Sequence, residues 1–445
     1  ARVAELLAKY DRPGPRYTSY PTAVEFDDSI TAELYAGKLA QANAAADDPL
    51  SVYVHLPFCE ERCLFCGCHV IISPHKEKAK PYLEMLEAEV EMIAGHLPDR
   101  RTVSQLHLGG GTPTYQSPPE LDRFLTHFFE RFQAAPGAEL AIEVDPRVTT
   151  SEHIDVLAGH GFNRISLGVQ DFTHVVQESI NRVQSVEQTA AIIDRARAKG
   201  FTGVNVDLIY GLPGQTVATL TETVRRAVEM RPDRIALFGY AHVPWMAKNQ
   251  RMIRTEDLPD APARLAQATA AADLLAELGY QPIGLDHFAL PEDPMATAWR
   301  DGALRRNFQG YTIDRAETMI GMGATAIGRT PEGYVQNVAE TGAWARAVRA
   351  GRLPVARGYR FRGDDRARGG VIEQLMCYGA ADLRAAGIDF GREIDALQPM
   401  IVEGLVAVED GRIRLTEAGR PLVRVVAAAF DRYRQRSPAR HSAAV

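Results

Sequence analysis

Four of the five cysteines fall within ten residues: Cys59, Cys63, Cys66 and Cys68. The first three stand at C-x3-C-x2-C spacing, directly after an apolar, strand-like run. Three thiolates on one tight loop suit three corners of a cubane iron–sulfur cluster, and three protein ligands leave one iron for an outside ligand. An open coordination position marks a reactive centre. The alternative at this point is zinc, held by the same thiolates with Cys68 or His69 as fourth ligand, although the spacing is not a usual C-x2-C pair. Either way, clustered thiols in so cysteine-poor a chain read as a metal or redox site and not as a disulfide framework. Cys377, alone in an apolar helical stretch, reads as core.

Such a loop needs a scaffold. The chain has 445 residues, a net charge of −7 and 46% hydrophobic residues, an ordinary globular composition. The mild acidic balance argues against nucleic acid as a partner. No apolar run nears the ~20 residues of a membrane helix, and the opening ARVAELLAKYDRPGPRYTSYP lacks a charged-then-apolar signal pattern. A cytoplasmic chain without a membrane partner is expected. It does not open with Met, so a few preceding residues are expected as well.

Residues 1–45 read as a leader or lid: YDRPGPRYTSYPTAVEF is too rich in Pro, Gly and aromatics for one regular element, and a short helix follows over about 29–45. Strand-like segments then recur at 51–58, 104–111, 140–146, 164–171, 204–213, 234–240 and 282–290. Helical ones lie between them, for example at 79–97, 118–132, 151–161 and 185–200. Six or seven such units in a row predict an α/β fold with a parallel sheet and helices outside it. Their even spacing favours a full or partial (β/α) barrel, assigned to residues 46–350. Residues 351–435 change character: a helix at 370–383, a hairpin at 405–416 across Asp410-Gly411 and a closing helix at 418–433 predict a mostly helical, winged-helix-like domain. Residues 436–445 read as a disordered tail.

A second motif, Gly109-Gly110-Gly111-Thr112-Pro113, ends the next predicted strand after the cysteine loop. It is no P-loop, since no Gly-Lys-Ser/Thr follows; nor is Gly321–Gly328 a dinucleotide fingerprint, because its third glycine is too far away. The cysteine motif, with aromatic Phe65 before its last Cys and this glycine run downstream, resembles the radical S-adenosylmethionine (SAM) superfamily. YVHLPFC (53–59), Cys66-Gly-Cys68, LHLGGGTPTY, GVQDF, INRVQ, NVDLIYGLPGQT, RNFQGYT and the leader PGPRYTSYPT together resemble the oxygen-independent coproporphyrinogen III oxidase (dehydrogenase) family, over about residues 10–380. Cys68 and the leader separate the chain from the shorter heme-chaperone relatives of that branch.

The resemblance implies that Cys59, Cys63 and Cys66 hold a [4Fe–4S] cluster whose fourth iron is chelated by SAM. One electron then cleaves SAM to a 5′-deoxyadenosyl radical, which takes hydrogen from the β-carbon of a propionate. Loss of an electron and of CO2 leaves a vinyl group, and repetition on rings A and B converts coproporphyrinogen III to protoporphyrinogen IX in heme biosynthesis. It also implies two SAM molecules. The cluster-bound one resembles a molecule contacted by Tyr53, Phe65, Gly110, Glu143 and Ile327; the second resembles one held by Gly111, Thr112, Gln170, Arg182, Asp207 and Ala241. An electron donor, an unidentified electron acceptor and a monomeric state complete the family expectation. Tyr53 and Cys68 are the candidates for a role beside the radical chemistry.

Several positions have plainer readings. Glu143, Gln170, Asp207 and Ala241 lie at carboxyl ends of predicted strands, the active face of such barrels; any one polar residue there could simply cap a helix or bond a loop. Arg182 by spacing alone is a surface ion-pair residue, and Tyr53 by default is core. His55 and His107 read as satisfied interior histidines, and His69 is ambiguous. A tetracarboxylate substrate needs local cations, for which Arg12, Arg16, Lys248, Arg251, Arg305 and Arg306, with Asn307 and Gln309, are candidates. Competing functions are a heme-binding chaperone on the same scaffold, an iron–sulfur transcription sensor and a radical SAM methyltransferase.

Overall fold

The structure is a computed structural model that describes residues 2–434; the tail expected at 436–445 lies outside the described residues. Twelve strands form one sheet. Its centre is seven parallel strands in the spatial order Met319–Met322, Leu50–Leu56, Thr102–Gly110, Gln133–Val144, Arg164–Gln170, Gly203–Tyr210 and Arg234–Gly239. Antiparallel strands extend both flanks: Ile327–Thr330, Gly333–Asn337 and Val355–Arg360 on one, His287–Ala289 and Gln281–Ile283 on the other. The sheet curls as a partial barrel, as expected.

The parallel series needs one correction. The segment 282–290 is not a further strand of the parallel series but a hairpin, Gln281–Ile283 with His287–Ala289. Only three residues join its strands, and Gly284 turns them at φ +60; so short a link permits only antiparallel pairing. The seventh parallel strand is instead Met319–Met322, four residues long and ending in a glycine-rich turn, too short to show a strand period.

Each strand–helix unit has a local cause. Ser117 with Glu120, Thr150 with His153, Ser185 with Gln188 and Thr216 with Thr219 form capping boxes, which satisfy the first free N–H groups of the outer helices. Within the strands, period-two alternation sorts side chains between faces. Leu106, Leu108, Ile142, Leu167, Val206 and Leu208 are buried in the main core. The opposite face turns Gln105, His107, Glu139, Glu143, Ser166 and Asp207 into the lumen. Ladder register places Gln105 opposite Glu139 and Glu143 opposite Ser166, so the lumen is polar by layers. Its floor is an ion-pair network: Arg164 donates to Glu139 (3.2 Å) and Asn205 (2.7 Å), and Arg234 to Asp293 (2.8 Å).

The leader is more regular than its composition suggested. Arg2–Tyr10 is a helix, and Leu7, Tyr17 and Tyr20 belong to the carboxyl-terminal core. In that region the helix is Asp365–Tyr378, stopped by left-handed Gly379. Ala380–Asp382 then joins the hairpin Val406–Glu409/Arg412–Leu415 as a third strand. The expected closing helix is a 3-10 turn, Arg420–Leu422, followed by Val423–Ala429. No helix among the described residues is long and apolar enough to cross a membrane.

Candidate cluster and cofactor site

The cysteine loop leaves the Leu50–Leu56 strand and is pinned on every side. Phe58–Cys59 pairs with Ile71–Ile72. The N–H groups of Gly111 and Thr112 donate to the carbonyls of Leu56 (2.9 Å) and Phe58 (2.8 Å), and Leu64 N–H donates to Ile180 (2.9 Å). A Cβ at Gly111 would lie 2.6 Å from the Pro57 carbonyl, so only glycine allows this approach. Two residues that sequence reasoning passed over hold the far side. The Asn249 amide donates to the carbonyls of Cys63, Leu64 and Cys66 (3.2, 3.0 and 2.9 Å), and Gln250 donates to Phe65 (2.8 Å) and Ala241 (3.1 Å). Attention to charge in PWMAKNQR picked out Lys248 and Arg251; the loop is held by the two amides between them.

The thiols of Cys59, Cys63, Cys66 and Cys68 line one cavity of about 520 Å³ at the carboxyl ends of the strands. Cys59 lies 3.4 Å from the Thr112 hydroxyl, and burial pushes its thiol up to about 11. Hydrogen bonding from Cys68, by its thiol and by its N–H at 3.4 Å, brings Cys66 down to about 6. Arg147 and Arg182 each place a guanidinium nitrogen 3.6 Å from the Cys63 sulfur. This donor set fits a [4Fe–4S] cluster: three thiols ring a cavity, and cations stand where thiolate charge collects. Among the described residues no three His, Cys, Asp or Glu side chains are placed to hold a single metal ion.

Most of the residues assigned to SAM line the same cavity: Phe65, Gly110, Gly111, Thr112, Glu143, Gln170, Arg182 and Asp207. Three do not. Tyr53 stands behind it, bonded to His55 at 3.0 Å with its ring 6.0 Å from that of His107. Ile327 opens a strand beside Gly321. Ala241 lines a neighbouring, larger cavity. Asp207 lies inside its strand and not at its end.

Charges around the cavity are paired. Glu143 shares a 2.8 Å hydrogen bond with His107. Burial favours the neutral carboxyl, but His107, joined by the Gly110 N–H and His55, outweighs it and keeps Glu143 below its ordinary pKa. Burial likewise opposes charge on His107, yet its carboxylate neighbours, Glu143 foremost, raise its pKa. Asp207 lacks such a partner, and burial, then Glu143, pushes it up to about 7. Gln170 sits at φ +68, a left-handed position uncommon for a side chain of this type. Arg182 is an ion-pair residue, as its spacing suggested, but a buried one. It meets Asp145 at 3.3 Å and donates to the Gly168 carbonyl at 2.6 Å. Asp145, which also pairs with Arg147 at 2.7 Å, carried no sequence signal. His55 is a satisfied interior histidine, bonded to Tyr53 and the His69 carbonyl and lowered to about 4 by burial. Cys377 is fully buried.

Among the substrate-cation candidates, Arg305 is spent on Glu373 (2.7 Å) and Arg306 on the leader carbonyls of Tyr17 and Arg16 (3.2 and 2.9 Å). Arg12 donates to Asp11 and Arg251 to the Pro244 carbonyl.

The sequence pattern of the radical SAM superfamily matches residues 53–227. The chain is 46% identical to the oxygen-independent coproporphyrinogen III oxidase of Bradyrhizobium diazoefficiens, over 99% of this chain and 100% of that one. It is 41% identical to that of Salmonella typhimurium, over 96% and 94%. The solved coproporphyrinogen III oxidase of Escherichia coli, described as a radical SAM enzyme, superposes with a TM-score of 0.90 at 40% identity, covering 96% of this chain and 98% of that one. A thiol loop, a glycine cradle and a polar lumen on this barrel, matched over nearly the full length of such relatives, place the chain in the oxygen-independent coproporphyrinogen III oxidase family of the radical SAM superfamily.

Proposed function

We propose that this chain oxidatively decarboxylates the ring A and ring B propionates of coproporphyrinogen III to vinyl groups, without oxygen, giving protoporphyrinogen IX. The observation that carries this is the convergence of the three motif thiols with Glu143, which His107 holds from the lumen side, on one cavity at the strand ends. A [4Fe–4S] cluster with SAM on its open iron supplies, when bound, the one-electron cleavage that yields the hydrogen-abstracting radical.

The protein's part is to hold and to shield. Cys59, Cys63 and Cys66 are the cluster ligands, and Asn249 and Gln250 fix the loop that presents them. His107 keeps Glu143 ionised and aimed, ready to accept hydrogen bonds from a SAM amino or hydroxyl group. Gly109, where a Cβ would lie 2.9 Å from the Glu143 carboxylate, leaves that side chain its room, and the Gly110 N–H supports the carboxylate's charge. Asp207, Gln170, Arg182, Gly111 and Thr112 make the wall for a second SAM, with Ala241 beyond it; Tyr53, Phe65 and Ile327 serve the first. Asp145 is shared by Arg147 and Arg182, so one carboxylate stands against two guanidinium groups and a net positive charge is left beside Cys63. The leader (1–45) and the C-terminal domain (351–435), through their described residues up to 434, in this reading roof the barrel domain (46–350) and keep water from the lumen. In this reading the protein is a cytoplasmic monomer served by a reducing partner and an electron acceptor.

The test is anoxic reconstitution and electron paramagnetic resonance with and without SAM, then incubation of reduced protein with SAM and coproporphyrinogen III. A SAM-perturbed [4Fe–4S]+ signal with release of CO2 and protoporphyrinogen IX is expected. Heme binding without CO2 release would favour the chaperone reading instead.

A further inference from the structure

Beside the cluster cavity lies a larger chamber of about 800 Å³, toward the upper end of the ~300–1,000 Å³ range of small-molecule sites. It begins at Tyr210 and at Gly239–His242, past the ends of two parallel strands. It then follows one face of the Ala261–Glu277 helix, where Leu265, Ala268 and Ala272 form an apolar wall. Leu375, Leu415 and Val423 of the carboxyl-terminal region form the opposite wall.

Cations gather on this apolar slot. Arg264 lines it with its guanidinium 5.4 Å from the Tyr210 ring centroid; among the described residues it has no carboxylate partner and no side-chain hydrogen bond. Arg16, from the leader, donates to the Gly239 carbonyl at 3.1 Å and forms no ion pair among the described residues. Arg424 also reaches the chamber and holds the leader by donating to the carbonyls of Gly14 and Pro15. The nearby Asp286 is engaged by His287 at 2.7 Å. Asp260 and Asp273 line the chamber as well, but no acid among the described residues lies within ion-pair distance of the half-buried Arg16 and Arg264, so both guanidinium groups have charge to offer an incoming carboxylate.

The chamber also communicates with the chemistry. A lumen cavity of about 240 Å³ shares Arg16, Asp286 and His287 with it, and shares Glu143, Ser166 and Asp207 with the cluster cavity. A largely apolar macrocycle seated in the slot could therefore send one acid-bearing arm through the lumen while its other arms stay on the arginines.

We propose that this chamber is the seat of the porphyrinogen, with Arg264 and Arg16 as carboxylate partners of the propionates that do not react. The assignment rests on the coproporphyrinogen reading above. It is tested by anoxic fluorescence titration of the reconstituted enzyme with coproporphyrin III, the oxidised macrocycle with the same four propionates. R264Q should weaken binding about tenfold or more, as expected for a lost charged hydrogen bond, with partial recovery in R264K. A268F, which fills the slot without altering charge, should weaken it too. Mesoporphyrin IX, with two propionates, should show a smaller R264Q effect. The SAM-induced change in the cluster's resonance should persist in every variant, which shows the site still folded. Should the wild type convert coproporphyrinogen III while R264Q and A268F bind coproporphyrin III unchanged, the chamber assignment is overturned and the activity stands. Should the wild type neither bind the one nor release CO2 from the other, both fall together.

Discussion

The side-chain amide of Asn249 lies 2.9 Å from the carbonyl oxygen of Cys66, and also within 3.2 Å of those of Cys63 and Leu64. Two N–H groups thus serve three carbonyls of the loop that carries two of the three motif thiols. In N249A those carbonyls lose their donor, at about 1–3 kcal/mol. The loop should loosen more than the fold. Iron and sulfide content after reconstitution, and the rate of cluster bleaching by a chelator, should show a faster loss than in wild type. Equal bleaching rates would count against the clamp.

The thiols should divide sharply. C59A, C63A and C66A are each expected to lose the [4Fe–4S] absorbance and most of the bound iron. C68A and C377A should keep both, since Cys68 stands outside the motif triplet and Cys377 is buried in the core around Tyr311. A C68A protein without iron would make that thiol a ligand.

Glu89 offers a pH test away from the site. It is buried in the Lys80–His96 helix and accepts from Gly323 N–H (2.7 Å), Trp344 (3.1 Å) and Asn337 (2.6 Å). These bonds tie that helix to the turn after Met319–Met322. Burial nevertheless raises its pKa from 4.5 to about 7. Between those values the folded chain binds more protons than the unfolded one, so this group's contribution falls as pH rises from about 5 to 7. In E89Q that dependence is absent. Denaturant titrations should show the stability difference moving toward the variant, by on the order of 3 kcal/mol between pH 5 and 8. A difference that stays flat would mean Glu89 is already ionised at low pH.

Arg306 straps the leader across the barrel, bonding to Tyr17 and Arg16 while lying 4.5 Å over the Tyr311 ring. R306A should free the segment around Arg16–Tyr20. Limited proteolysis should then cut within RPGPRYTSYP at least several times faster, with cluster content unchanged. Removing residues 1–25 outright is a poorer test of a lid, because Leu7, Tyr17 and Tyr20 are part of the carboxyl-terminal core.

What could be read from the sequence was what is local. The cysteine spacing, the glycine run and the apolar strand bodies each carry their meaning within ten residues. The inward alternation of Gln105, His107 and Gly109, then Glu139, Ala141 and Glu143, is also present as a period of two, but these polar residues mean a lumen only once the sheet curls and sets their faces toward one another. Asn249 and Gln250 could not be found that way, because their value depends on a tertiary return that brings residue 249 against residue 63. Asp145 is silent for the same reason: it matters through Arg182, thirty-seven positions away. The strand Met319–Met322 was hidden by its brevity, and the Arg2–Tyr10 helix by the proline-rich stretch that follows it.

The strand order runs from Val355–Arg360 to Gln281–Ile283 without returning to its start. A ring of eight strands would fill its own middle with side chains. Here an N-terminal strap, held by Arg306, and C-terminal elements that include the Asp365–Tyr378 helix line the open side instead. An open sheet therefore leaves the width of the vessel to residues outside the barrel strands, which can change without disturbing the thiol loop.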